Sequence, residues 1–169
     1  ATPFTTRRNG VNGPKIVNGQ DATPCEWRWQ VSLRTFSGFS FCGGALISPR
    51  WVMSAAHCVE GSGDPDFVIV VGDHDKSSDE DPHERTHEVA RVISHERYNG
   101  GTMTHDFALI ELVNDVDMGE CVATACLPSS EVDVGQECFI TGWGTLQSGG
   151  ATPDILQEGL VLATSNEDC

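Results

Sequence analysis

The chain has 169 residues, enough for one domain with a hydrophobic core, and a net charge of −15 from 25 acidic and 10 basic residues. That charge argues against nucleic acid and anionic membrane surfaces as partners, and no apolar run approaches the ~18 residues that span a bilayer. Seven cysteines without a Cys-x-x-Cys pair favour disulfides and an oxidising, extracellular-type compartment. Eighteen glycines and eight prolines between short apolar runs predict an all-β fold.

The first part of the chain leads from a polar segment into a predicted hairpin. Residues 1–15, ATPFTTRRNGVNGPK, offer little to bury and are predicted to be exposed and flexible. Trp27 and Trp29 open a period-2 pattern that continues to Leu33 and predicts a strand. A turn over residues 36–41 then returns the chain as a second strand.

The most informative stretch is residues 42–58, CGGALISPRWVMSAAHC. Two cysteines close a short loop, and His57 lies directly against the second cysteine. The paired glycines let the backbone approach another group closely. A histidine fixed by a covalent clip suits a general base, because proton transfer needs hydrogen-bond reach of the nucleophile. Taken alone, however, a His beside a Cys is more often structural.

The succession of Cys-Gly-Gly-x-Leu-Ile and Ser-Ala-Ala-His-Cys is far more specific. It resembles the histidine segment of the trypsin-like (chymotrypsin-fold) serine proteases. The resemblance implies a chymotrypsin-like double β-barrel, a disulfide between Cys42 and Cys58, and His57 as the catalytic base.

The resemblance also gives a meaning to the junction of Lys15 and Ile16. Taken alone, the residues after Lys15 are simply a first strand entering the domain. In trypsin-like proteases, cleavage after a basic residue releases an Ile-Val-x-Gly terminus, and Ile-Val-Asn-Gly begins at Ile16. Residues 1–15 would then be a propeptide, and the chain as given resembles an uncleaved zymogen.

Beyond the His57 segment, an apolar strand is predicted over residues 67–72 and is followed by an acidic loop between Asp73 and Glu84. The simplest interpretation of this loop is a solvated surface. Some trypsin-like proteases bind calcium in a loop at this place, where Asp73 and Glu84 would bracket the ion. The order of acids does not match the usual pattern, so we predict no cofactor and keep calcium as the alternative.

The next candidate residue is Asp106, in the run HDFALIEL of residues 105–112. A carboxylate entering an apolar strand is costly unless its charge is used. Seen alone, this residue would be a strand cap. With His57 upstream, the resemblance makes Asp106 the group that accepts the imidazole N–H and stabilises the imidazolium. A strand is predicted over residues 89–95, but His95 is left out of the site because the family often has a surface histidine there.

The remaining segments match the start of a second barrel. Ala-Cys-Leu-Pro at residues 125–128 resembles the linker between the family's two barrels, and Thr-Gly-Trp-Gly at residues 141–144 resembles part of the second. The predicted division is therefore a propeptide-like segment and an incomplete protease domain. The propeptide-like segment is predicted to span residues 1–15 and the protease domain residues 16–169. Within the domain, residues 16–120 would form a complete first barrel, and residues 121–169 the linker and the start of the second barrel.

The family's Gly-Asp-Ser-Gly-Gly segment, which carries the nucleophile and the oxyanion hole, is absent from the sequence. We therefore expect the chain to be truncated before the serine and to be inactive alone. Cys138 and Cys169 match family cysteines whose partners lie further downstream. Cys25 would pair with either Cys121 or Cys126.

Two functions follow from these observations. The first is a secreted serine endopeptidase that hydrolyses proteins or peptides through a Ser-His-Asp triad, here as a zymogen-like fragment. The alternative is a non-catalytic homologue that acts as a binding or structural subunit, because fold does not fix function. A missing C-terminal part or another subunit is a further candidate partner. Nucleic acid and membrane insertion are not expected.

Overall fold

The computed structural model describes residues 19–61, 66–78, 81–146 and 150–165, which form antiparallel β-structure and one 3-10 turn at Ala56–Cys58. The described part contains no helix that is long and apolar enough to cross a membrane. The strands are β1 (Gln20–Asp21), β2 (Gln30–Thr35), β3 (Ser40–Ser48), β4 (Trp51–Ser54), β5 (Phe67–Val71), β6 (Arg85–Ser94), β7 (Ala108–Leu112), β8 (Glu137–Gly142) and β9 (Gln157–Leu162).

Six of these strands close into a barrel in the order β2-β3-β4-β7-β6-β5, and each neighbouring pair is antiparallel. The barrel closes between β2 and β5, where Val31 lies opposite Val71. Alternate side chains of a strand point to the same face. On β7, Ala108, Ile110 and Leu112 are therefore buried in the barrel core, while the residues between them are half-buried.

A second sheet contains three strands in the order β1-β9-β8, again antiparallel. Among the described strands, β8 pairs with β9 alone. Large apolar side chains on this sheet are exposed, notably Phe139, Ile140, Leu160 and Leu162. The protein thus has a complete first barrel and a partial second one, which confirms the predicted all-β, chymotrypsin-like fold.

Hydrogen bonds between half-buried and buried polar groups attach the second sheet to the barrel. The Thr141 hydroxyl donates to the Gln30 side-chain oxygen at 2.7 Å. Glu158, which is buried on β9, accepts from the Trp27 indole N–H, shortly before β2, at 2.7 Å, and within the second sheet it accepts from the Gln20 amide on β1 at 2.6 Å. Because buried polar groups are costly without partners, these bonds fix where the sheet sits.

The structure corrects two strand boundaries. The prediction that a strand begins at the tryptophans is wrong, because β2 begins at Gln30 and both Trp27 and Trp29 lie half-buried in the preceding turn. The Gln30 N–H donates to the Trp27 carbonyl at 2.9 Å, and this bond closes a turn over the two tryptophans in place of a strand. Strand β6 starts at Arg85 rather than at residue 89, and the prediction missed its first four residues because they are polar and mostly exposed.

Candidate active site

His57 lies in the 3-10 turn that follows β4, and three features hold this turn in place. Cys58 is joined by a disulfide to Cys42 on β3, with their Cα atoms 6.1 Å apart. Ala56 and Val59, on either side of the histidine, are buried in the barrel core. The Val59 N–H donates to the Ala56 carbonyl at 3.1 Å. The imidazole is therefore carried by a backbone that is anchored on both sides.

Asp106 reaches the same place through the register of two neighbouring strands. Strands β4 and β7 are antiparallel, and their last pair is Ser54 with Ala108. Continuing that register past the strand ends puts Asp106 opposite Ala56, one residue from His57. The two candidate residues are 49 positions apart in sequence, and this strand pairing brings them into contact.

The carboxylate of Asp106 contacts His57 through both of its oxygens. One oxygen accepts the His57 backbone N–H at 2.8 Å, and the other lies 2.6 Å from the ring nitrogen Nδ1. The pKa of Asp106 lies below its ordinary value of 3.8. The main cause is the hydrogen bond from the His57 ring, and the next is the hydrogen bond from the His57 backbone N–H. An ionised Asp106 keeps the proton on Nδ1, which leaves Nε2 free to accept one.

Nε2 is the atom that a general base would use. The Cys58 sulfur lies 3.5 Å from Nε2. The His57 side chain is 47% exposed, against 21% for Asp106. The site therefore buries the orienting acid more deeply than the base, which stays accessible to an incoming hydroxyl group.

Sequence reasoning predicted a close backbone approach at the paired glycines but did not name its partner, and it missed the hydrogen bond of Ser54. The Ser54 hydroxyl donates to the Gly43 carbonyl at 2.8 Å and so links β4 to β3 beside the disulfide. A Cβ on Gly44 would lie 2.7 Å from the Met53 carbonyl oxygen, so only glycine lets β3 and β4 approach this closely. The Cys-Gly-Gly motif was the available signal for this contact.

Two further residues beside the site were also not predicted. The Tyr98 hydroxyl donates to the Glu60 carboxylate at 3.4 Å. Desolvation, followed by the charges of Glu60 and Asp106, raises the pKa of Tyr98. His95, which the sequence set aside, stacks on His105 with ring centres 4.8 Å apart rather than joining His57.

The two acids proposed to bracket calcium lie together, but they share a cation supplied by the protein. The Arg34 guanidinium forms an ion pair with Asp73 and another with Glu84 at 3.2 Å. Burial raises the pKa of Asp73 to about 6, although the attraction of Arg34 opposes the rise. This site lies on the loop between β5 and β6, outside the His57 site.

The cysteines divide into two disulfides and two free thiols within the described residues. Cys25 pairs with Cys121, one of the two partners that the sequence left open, while Cys126 and Cys138 are free. A histidine lies near each disulfide, but disulfide sulfurs are not the thiolates that ligate metals. The predicted cleavage junction at Lys15 and Ile16 and the thiol of Cys169 lie outside the described residues.

Comparison with known proteins agrees with this geometry. The family model described as Trypsin matches residues 16–169. The chain belongs to the trypsin family. Among solved structures, human heparin binding protein is similar to it, with 28% sequence identity and a TM-score of 0.83. The match covers 89% of this chain and 67% of that protein's chain. The resemblance drawn from the His57 segment is therefore confirmed, and the fold is that of a trypsin-family protein.

Proposed function

We propose that this trypsin-family chain supplies the base and the orienting acid of a secreted serine endopeptidase. The observation that carries the proposal is the double contact between Asp106 and His57, with Nδ1 and the carboxylate 2.6 Å apart. A purely structural aspartate at the start of a strand has no need to bond the imidazole as well as the backbone. This arrangement prepares Nε2 to accept a proton.

His57 and Asp106 would act as follows in peptide hydrolysis. As a serine oxygen bonds to the peptide carbonyl carbon, Nε2 of His57 takes the hydroxyl proton. When the C–N bond breaks, Nε2 gives that proton to the leaving amine. Water then releases the acyl group by the same two proton transfers. Asp106 stays ionised and stabilises the imidazolium. The serine itself belongs to the Gly-Asp-Ser-Gly-Gly segment, which this sequence does not contain.

Secretion and a zymogen state are parts of the same proposal. The disulfides of Cys25 with Cys121 and of Cys42 with Cys58 support an oxidising compartment. The sequence at Lys15 and Ile16 supports activation by a protease that cuts after a basic residue. Sequencing of the N-terminus after such treatment should give Ile-Val-Asn-Gly, and cleavage elsewhere would contradict the assignment.

The decisive test uses the complete gene product, activated by cleavage after Lys15. We expect it to hydrolyse fluorogenic peptides and to react with a fluorophosphonate, which labels activated serines. His57→Ala should lower kcat by about 10⁴ to 10⁶-fold and abolish labelling, because the base is lost. His83→Ala, a histidine outside the site, is the matched control and should retain both properties. A complete, activated protein that neither cleaves nor labels would refute the proposal.

The alternative function, a non-catalytic binding homologue, is favoured by one observation. The similar solved structure is named for heparin binding, so a protein of this fold has a ligand-binding role. Heparin is a polyanion, and this chain carries a net charge of −15. Charge repulsion makes heparin a poor ligand here, so a binding homologue would need a different, more basic partner.

The expectation that heparin is not a ligand has its own test. At about 50 mM salt, where charge interactions are strong, the protein should pass through immobilised heparin without retention. Retention that salt reverses would support a heparin-binding role. Retention together with an unlabelled complete protein would favour the binding homologue over the endopeptidase.

A further inference from the structure

One arginine holds both ends of the acidic loop. Arg34 lies on β2, and its guanidinium donates to Asp73, two residues after β5 ends, and to both Glu84 oxygens at 3.2 and 3.4 Å. Glu84 directly precedes the first residue of β6. Both ends of the loop are therefore bound to the same guanidinium group on β2.

Burial makes this positive charge necessary. The Asp73 side chain is 1% exposed, and that of Arg34 is 12% exposed. A carboxylate this deeply buried is costly unless a cation and hydrogen bonds compensate it. Glu84 and Asp81 add negative charge around Asp73, and the charges of Lys76 and Asp73 attract each other.

A calcium ion does not fit alongside this arrangement. Calcium needs six to eight oxygen ligands at about 2.3–2.6 Å, so the carboxylates of Asp73 and Glu84 would have to converge on it. Their oxygens instead converge on the guanidinium nitrogens of Arg34. An ion placed between the two acids would displace the arginine or be repelled by it.

We propose that Arg34 is the resident cation of the loop, that the protein needs no calcium for stability, and that removing Arg34 opens the loop to a calcium ion. The vacated position would present the carboxylates of Asp73 and Glu84, with Asp81 nearby, to a hard cation that prefers oxygen. Asp73 would otherwise be left buried without its main partner. The inference does not depend on whether the protein is an enzyme.

The experiment compares thermal unfolding of the wild type and of Arg34→Met in EDTA, in about 5 mM calcium and in about 5 mM magnesium, with the last as a control for ionic strength. The wild-type Tm should be the same in all three to within about 1 °C. Arg34→Met should melt lower in EDTA and regain about 3 °C or more in calcium, because an ion that binds only the folded state raises Tm.

Two control variants make the result specific. Arg34→Lys keeps a positive charge and should remain insensitive to calcium. Adding Glu84→Ala to Arg34→Met removes one ligand and should abolish the rescue by calcium. Saturable calcium binding to the wild type by calorimetry would overturn the resident-cation claim. An Arg34→Met protein that folds no better in calcium than in EDTA would overturn the claim that a site opens.

Discussion

Asp106 bonds both the backbone and the ring of His57, so it determines where the imidazole lies and which nitrogen carries the proton. In Asp106→Asn, the side-chain amide has only one acceptor oxygen and would favour the wrong tautomer. We expect kcat of the complete, activated protein to fall by about 10⁴-fold, the loss that this change causes in a Ser-His-Asp triad. Asp133→Asn, at an exposed position, should leave peptide hydrolysis unchanged.

At the same scale, two aspartates give the stability opposite dependences on pH. Asp106 has a lowered pKa in the folded protein, so its contribution is present above pH 3.8 and is lost as the pH falls through the lower folded value. Asp73 has a pKa raised to about 6, so the folded state binds its proton more tightly than the unfolded state. Its contribution is present below pH 3.8 and is lost as the pH rises through about 6.

Urea unfolding between about pH 3 and pH 7 tests the sign for Asp73. Relative to Asp73→Asn, which has no proton to lose, the wild type should lose free energy of unfolding as the pH rises through this range. Asp106→Asn should show the opposite trend: relative to this variant, the free energy of unfolding of the wild type should increase as the pH rises. Parallel pH profiles for the wild type and Asp73→Asn would show that Asp73 does not have the raised pKa.

At the scale of single elements, the close approach of β3 and β4 is what carries the His57 turn. Gly44→Ala would place a methyl group 2.7 Å from the Met53 carbonyl oxygen, so the strands must separate. We expect a loss of more than ~1 kcal/mol in the free energy of unfolding by urea. Gly119→Ala makes the same change where nothing lies within 4 Å and should be nearly neutral.

One buried residue on β7 and one exposed residue on β9 can be compared to learn whether the barrel core or the second sheet contributes more to stability. Ile110 is fully buried, and Ile110→Ala should cost about 2–5 kcal/mol through lost burial and a cavity. Leu160 on β9 is 54% exposed, so Leu160→Ala should change the free energy of unfolding by only about 0.5 kcal/mol. Equal losses in thermal or urea unfolding would mean that the second sheet is covered in solution.

At the scale of the whole molecule, the sequence predicted the parts whose signal is local. The Cys-Gly-Gly and Ala-Ala-His-Cys segments identified the His57 turn, and the apolar run after Asp106 located its strand. The contact between Asp106 and the backbone of His57 depends on the register of β4 and β7, which no short segment encodes.

The Arg34 contacts were missed for the same physical reason. Arg34 is separated by 39 and 50 positions from its two acidic partners, and a single arginine on a strand carries no sign of its partners. The strand at the tryptophans was wrong because bulky aromatic residues favour strands and packed turns alike. Local patterns therefore identified the elements, while closure of the barrel determined the charge pairs.

The exposed apolar side chains of the β8–β9 sheet have a consequence for the solubility of the purified protein. Among the strands that the structure describes, β8 has one edge without a partner, and such an edge with exposed apolar side chains is a template on which another copy can add its own strand. Mutual repulsion from a charge of −15 opposes that encounter. Low ionic strength and a mild detergent should therefore keep concentrated solutions clear, whereas high salt should make them scatter light.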